Sequence, residues 1–230
     1  TTSQMISNET LFASRKWPAL EEVLQTLEEY HPGSTKKLIN SLIPRPTQGM
    51  ASSMIFYLSA LKGGDIKLWF GENLQRLVEN IRPSLFSRIK EDFISISKMI
   101  DEPTSGDWRV ALIPVNTGSE IQQIRLLFRQ NDNESDENVK SDARFIIDVD
   151  LTKFGRMQID GLVREKGKSL DLIIRSDKQL NDTMKNDIRS IFVETTNLSG
   201  LSGSVGFQST PANFINIPDP TFNHEIGMMV

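Results

Sequence analysis

The hydrophobic period of this chain changes near residue 102, and that change constrains its fold more than any other feature. Before it, apolar residues recur every three or four positions; after it, they alternate. The switch falls at Glu102-Pro103-Thr104-Ser105-Gly106-Asp107, a run of turn-forming residues. The pattern predicts an α+β fold: an N-terminal helical assembly, then a mostly antiparallel sheet covered by one long helix. The expected organisation is a flexible arm over 1–16, a helical domain over 17–102, an α+β domain over 103–207 and an extended tail over 208–230.

The helical part divides at its breakers. Pro18 suits a first helical turn, and Leu20, Val23, Leu24 and Leu27 follow at helical spacing. His31-Pro32-Gly33 stops that helix. Ser34 is placed to cap the next, which Pro44-Arg45-Pro46 ends. Residues 50–62 are apolar on more than one face and are expected at the centre of the helical domain. Gly63-Gly64 closes that helix, and Asp65 is placed to cap a short one through Trp69 and Phe70. Helices over 72–81 and 83–100 complete the set.

Strands are predicted at Trp108–Leu112, 121–129, 144–151, 157–164, 169–175 and 201–207. In the middle three, Phe145, Ile147, Val149, Met157, Ile159, Val163, Leu170, Leu172 and Ile174 share one face. Turns at Lys153-Phe154-Gly155 and Glu165-Lys166-Gly167-Lys168 make hairpins, with Val149 expected opposite Ile159 and Ile159 opposite Ile174. A helix over 178–195, capped by Ser176 or Asp177, carries the stripe Leu180, Met184, Ile188, Ile191 and Phe192. It is expected to cover the apolar face.

Composition narrows the function. A net charge of −4 and a pI near 5.3 provide no basic surplus, which argues against nucleic acid as a partner. The absence of cysteine excludes disulfides, thiolate metal sites and Cys nucleophiles, and fits a reducing compartment or a bacterial source. No apolar run approaches the length of a membrane span, and no signal peptide is visible. The chain opens on Thr1 and not methionine, as a trimmed or partial chain would.

Candidate sites are few. Asp148, Asp160 and Asp171 are expected exposed on the outer face of the hairpins, Asp148 directly opposite Asp160, with Arg164 and Arg175 nearby. Like charges facing each other repel, which invites a cation or a basic partner; a solvated acidic face is the plainer reading. The loop carrying Asp132, Glu134 and Asp136 has Glu137 and Ala143 where a calcium loop needs Gly and Glu. Gly200, Gly203 and Gly206 follow a helix and enter a strand, the reverse of a phosphate loop. His31 and His224 build no triad or metal site. Trp17, Trp69 and Trp108 are core residues or interface anchors. No catalytic, cofactor or metal residue is therefore assigned. In the tail, Phe214, Ile217 and Phe222 are apolar anchors in a proline-containing segment suited to docking.

Residues 147–207 carry a further signal. Val149-Asp150-Leu151-Thr152-Lys153-Phe154-Gly155-Arg156-Met157-Gln158-Ile159 is a strand, turn and strand. Leu170 to Ile174, the helix Leu180 to Phe192, Gly200-Leu201 and Val205-Gly206-Phe207 follow in order. This stretch resembles the C-terminal domain of flagellar hook-length control proteins. Leu151, Phe154, Gly155, Met157 and Ile159 fit that domain's turn; its proline is absent, Thr152 and Lys153 standing in that region. The resemblance implies a non-enzymatic protein-interaction module that contacts the type III export gate and switches its substrate class. It places the protein in the bacterial cytoplasm, with export possible. Binding is expected through Asp148, Asp160, Asp171 and Arg175 or through the tail. The competing readings are a small ligand- or metal-binding protein or enzyme using the acidic face, and a helical scaffold unrelated to flagella.

Overall fold

The computed structural model describes residues 11–13, 15–31, 33, 39–104, 106–118, 120–131, 142–209 and 214–217. The fold is α+β, with a helical N-terminal part and a mostly antiparallel six-stranded sheet. Helices α1 (Pro18–Tyr30), α2 (Met50–Lys62), α3 (Ile66–Ile81) and α4 (Pro83–Asp101) precede strands β1 (Arg109–Asn116), β2 (Ile121–Asn131), β3 (Asp142–Leu151), β4 (Gly155–Arg164) and β5 (Ser169–Ser176). Helix α5 (Asp182–Leu198) and strand β6 (Ser202–Gln208) follow. Contacts divide the chain into two compact units. One gathers residues up to 104 with 110–124; the other gathers 105–109 with 125–218.

The first unit is organised around Trp69. Its ring stacks on Trp17 at 5.7 Å and on Phe93 at 5.8 Å, and meets Tyr57 edge-on at 4.8 Å. Buried polar atoms on these rings find partners, as they must. Trp69 Nε1 donates to the Leu42 carbonyl and Trp17 Nε1 to Asp92, both at 2.9 Å. Tyr57 Oη donates to the Leu112 carbonyl at 2.8 Å, and burial pushes its pKa well above the ordinary value. The tryptophans are thus core residues.

Helix α2 lies elsewhere than expected. Tyr57, Ala60 and Leu61 face the core, while Ile55 and Phe56 are exposed, so α2 is a peripheral helix with one buried face. Within α3, Gly71 at φ 73° interrupts the helical backbone and separates the two segments read from the sequence. Asp65 caps the first of them, accepting from the Lys67 amide at 2.9 Å.

Strand β1 does not alternate. Residues 110–115 are all buried, as in a strand covered on both faces. Pro114 is tolerated because β1 lies at one edge of the sheet, whose order is β1-β2-β3-β4-β5-β6. Strands β2 to β5 pair antiparallel; β6 joins β5 in parallel by way of α5. Phe145, Ile147, Val149, Ile159, Leu172 and Ile174 share a face as the alternation predicts. The β3–β4 register differs from the expected one by two residues: Val149 pairs with Met157, Ile147 with Ile159, and Asp148 with Gln158. Ile159 does pair with Ile174. Slipping by two preserves every side-chain face, so alternation alone cannot choose between these registers.

On the apolar face α5 packs Met184 and Ile188 over Met157, Ile174 and Leu180, with Val149, Leu151, Phe154, Ile159, Val205 and Phe207 around them. The helix starts later than expected: Asn181, not Ser176 or Asp177, is its cap, accepting from the Met184 amide at 2.8 Å. Ser176 Oγ instead donates to the Lys178 carbonyl, and Asp177 accepts from the Arg156 amide. Ile191, placed in the buried stripe by its spacing, is exposed.

Gly203 decides whether β6 can join the sheet. It sits at φ 150°, and a Cβ there would come within 1.8 Å of the Leu170 carbonyl oxygen. Backbone cannot yield as a flexible side chain does. Gly203→Ala is expected to destabilise the protein by about 1–3 kcal/mol or more in urea unfolding. The largest loss of amide-exchange protection should fall on β5 and β6.

Candidate functional site

The face opposite α5 is polar, and its centre is buried. Alternation along the strands places Arg125 of β2, Arg144 and Asp148 of β3, Arg156, Gln158 and Asp160 of β4, and Arg175 of β5 on this one surface. The pattern of alternating polar residues suggested a solvated face. Asp148 is instead 0% exposed and Asp160 6% exposed, which corrects that expectation.

Two carboxylates organise the surface. Asp148 Oδ1 accepts from Arg125 Nη2 at 2.8 Å. Its Oδ2 accepts from Gln158 Nε2 at 2.8 Å and from Arg156 Nε at 2.9 Å, with Arg156 Nη2 at 2.8 Å. Asp160 receives Arg144 through Nε and Nη2 at 2.9 and 2.8 Å, a bidentate pair, and Arg175 Nη1 at 3.0 Å. Burial alone would raise the Asp160 carboxyl, but the hydrogen bonds from Arg144 and Arg175 outweigh it and hold it below the usual carboxylate range. The Asp160 hydrogen bond raises the Arg144 guanidinium in return. Arg129 adds its guanidinium over the Trp108 ring, 4.7 Å from the centroid.

The expected opposition of Asp148 and Asp160 does not occur, since Asp148 faces Gln158 and Asp160 faces Ile146. Repulsion is removed by register as well as by arginine. Asp171 is partly exposed; the Ser204 hydroxyl and the Arg164 guanidinium hold its carboxyl below the ordinary value.

An extended piece of the tail lies on this face. Gln158, 0% exposed, binds the backbone of Ile215 with both ends of its amide. Oε1 accepts from the Ile215 N–H at 2.8 Å, and Nε2 donates to the Ile215 carbonyl at 3.0 Å. Arg156 places its guanidinium 4.8 Å from the centroid of the Phe214 ring. Asp148 thus braces both side chains that hold the segment, Gln158 and Arg156. Phe214, Ile215 and Ile217 are all half-buried.

Of the residues singled out in the sequence, Asp148 orients the groups that grip Phe214 and Ile215, while Asp160 and Arg175 form a neighbouring ion pair. Asp171 belongs to a separate exposed pair. Phe222 and the acidic loop at 132–141 lie outside the described residues. Arg125, Arg144, Arg156 and Gln158 were missed. Their signal was present: each shares strand parity with an aspartate on a neighbouring strand, the arrangement of a paired network. Among the described residues, no group of three or more His, Asp or Glu side chains is placed to hold a metal ion. No helix among them is long and apolar enough to cross a membrane. Comparison of the chain with protein-family models, curated proteins and solved structures finds no match in any of the three.

Two consequences are measurable. Asp148→Ala leaves buried donors on Arg125 and Gln158 without their acceptor and should cost about 3–5 kcal/mol in urea unfolding. For Asp160 the folded pKa is the depressed one. Its contribution is therefore fully present above the unfolded value near pH 4 and is lost as pH falls through the lower folded value. Asp160→Asn should lower stability at pH 7 and flatten the fall in stability below about pH 4. An unchanged acid limb in the variant would show that Asp160 is not held by these arginines.

Proposed function

We propose that this chain is a non-enzymatic protein-interaction module that receives an extended peptide segment on the charged face of its sheet. One observation carries the reading: a wholly buried glutamine uses both amide atoms on the backbone of Ile215. Contacts to backbone groups accept many sequences, and a neighbouring side chain then adds preference, here Arg156 for an aromatic ring. In this reading Phe214 to Ile217 occupies in cis a site that a partner's segment enters in trans.

The electrostatics favour one kind of segment. Four guanidiniums surround the two buried carboxylates Asp148 and Asp160, and Asp150 stands opposite Arg156, which leaves this cluster one positive charge in excess. The bound segment Phe214 to Ile217 carries no basic residue. A neutral or acidic extended segment with an aromatic followed by an aliphatic residue suits the site. Cation binding is disfavoured, because both buried aspartates already face arginine.

The resemblance of residues 147–207 to the hook-length control C-terminal domain supports a bacterial, cytoplasmic setting. It makes a component of the type III export gate the partner to examine first.

The test keeps the full chain. Ile215→Pro removes the N–H that Gln158 Oε1 accepts and should release the segment. A fluorescent synthetic peptide of residues 210–218 should then bind the variant in trans by anisotropy, and bind the unaltered chain at least about tenfold more weakly. Adding Gln158→Ala should abolish that binding. Failure of the peptide to bind the released variant would reduce the contact to a structural strap and overturn the reading.

A further inference from the structure

On the opposite face, α5 covers only part of the sheet. It packs over β5 and β6 and the adjoining ends of β3 and β4. Leu126, Phe128, Phe145, Ile147, Val163 and Leu172 share that face and are only partly buried. Strands lie about 4.8 Å apart, so β2 to β4 span roughly 10 Å between their axes, about the width of one helix.

The wall of this trough is α5 itself. Arg189 lies over the Phe207 ring at 5.1 Å, so the flank bearing Arg189 overhangs β6. Ile191, about 200° further round the helix, falls on the opposite flank toward β4, and Leu198 lies two turns beyond it. Ile191 is 63% and Leu198 82% exposed, although both are large and apolar. Asp187 and Glu194, also exposed, continue the same stripe and form its outer rim. The floor residues carry no charge, so the charge that α5 brings to this rim is negative.

We propose that the trough docks an amphipathic helix of a partner protein, one whose apolar stripe is flanked by lysine or arginine. A helix fits because it satisfies its own backbone, and this floor presents only hydrocarbon to whatever covers it. An extended segment would bury unpaired amides there. The acidic rim selects the basic flanks, and it disfavours a second copy. A two-fold contact through α5 would set Asp187 and Glu194 against their own equivalents.

The full-length chain, methyl-labelled, is titrated with a leucine–lysine amphipathic peptide of about 16 residues, roughly 24 Å as a helix. Methyl shifts are expected at Ile147, Leu172, Ile191 and Leu198, with Ile215 and Ile217 unmoved. A leucine–glutamate peptide of the same pattern should bind at least about tenfold more weakly. Exchanging Asp187→Lys and Glu194→Lys together, both at exposed positions, should invert that preference. Ile191→Glu should weaken both peptides. Ile215→Pro should leave the lysine peptide's affinity unchanged, which separates this trough from the peptide site on the other face. Equal affinity for the two peptides would overturn the proposal, as would shifts mapping outside the trough. Self-association abolished by Ile191→Glu, with the trough methyls unmoved by peptide, would assign the surface to a second copy and overturn it equally.

Discussion

Asp148 meets two guanidiniums with none of its surface in water. An ionised carboxylate in that position is tolerable only when every lone pair meets a donor. Arg125 and Gln158 meet it from the strands on either side, and Arg156 from the end of β4. These donors stand on two strands, β2 and β4, and converge on Asp148 of β3 only if all three strands align in one register. A two-residue slip of β4 would keep each side chain on its face and bring Asp160 opposite Asp148. On the α5 side the slip would move Gly161 from beneath the Phe145 ring, which leaves no room for a Cβ there; on the other side it would strip the buried carboxylate of its donors. The charge therefore contributes more to choosing the register than to net stability, since such pairs recover little beyond their own desolvation.

The same constraint prepares the peptide contact. A glutamine on a strand has free rotation about its side chain and usually points into solvent. Gln158 is fixed because one amide hydrogen is held by Asp148 Oδ2 at 2.8 Å. The oxygen and the remaining capacity of the nitrogen then point at Ile215. Arg156 is oriented by the same oxygen before it reaches Phe214. The segment consequently meets groups already ordered, and the entropy of arranging them is not charged to its docking.

Much of the fold was legible in the sequence because it rests on periodicity. The change of period near Pro103, the breakers between helices, the kink at Gly71 and the parity of each strand are local signals. What was not legible depends on partners distant in sequence. Alternation distinguishes two faces but cannot reveal that the polar one is covered, so Asp148 and Asp160 read as solvated. Their true state is encoded in Arg125, Arg144 and Arg175, which become neighbours only after strands pair. Helix α2 shows the converse. Its apolar residues surround the axis, and composition alone could not indicate that Ile55 and Phe56 would face out. For Ile191 the helical spacing was right, but the sheet beneath that flank of α5 is wider than the helix.

The two faces call for different partners for a single physical reason. A surface of buried polar groups is completed by something that brings hydrogen-bonding capacity of its own, and an extended backbone does so at every residue. A surface of hydrocarbon penalises any unpaired amide, and it is completed by a helix, whose amides are already bonded to one another. Strand β4 lies at the boundary of these requirements. Its even positions address the extended segment, Gln158 through the Ile215 backbone and Arg156 through the Phe214 ring, while its odd positions, Met157 and Ile159, pack beneath a helix. Residues one position apart on β4 are therefore held to opposite chemical rules. A polar substitution at Ile159 and an apolar one at Gln158 would each place on one face the chemistry that only the other accepts.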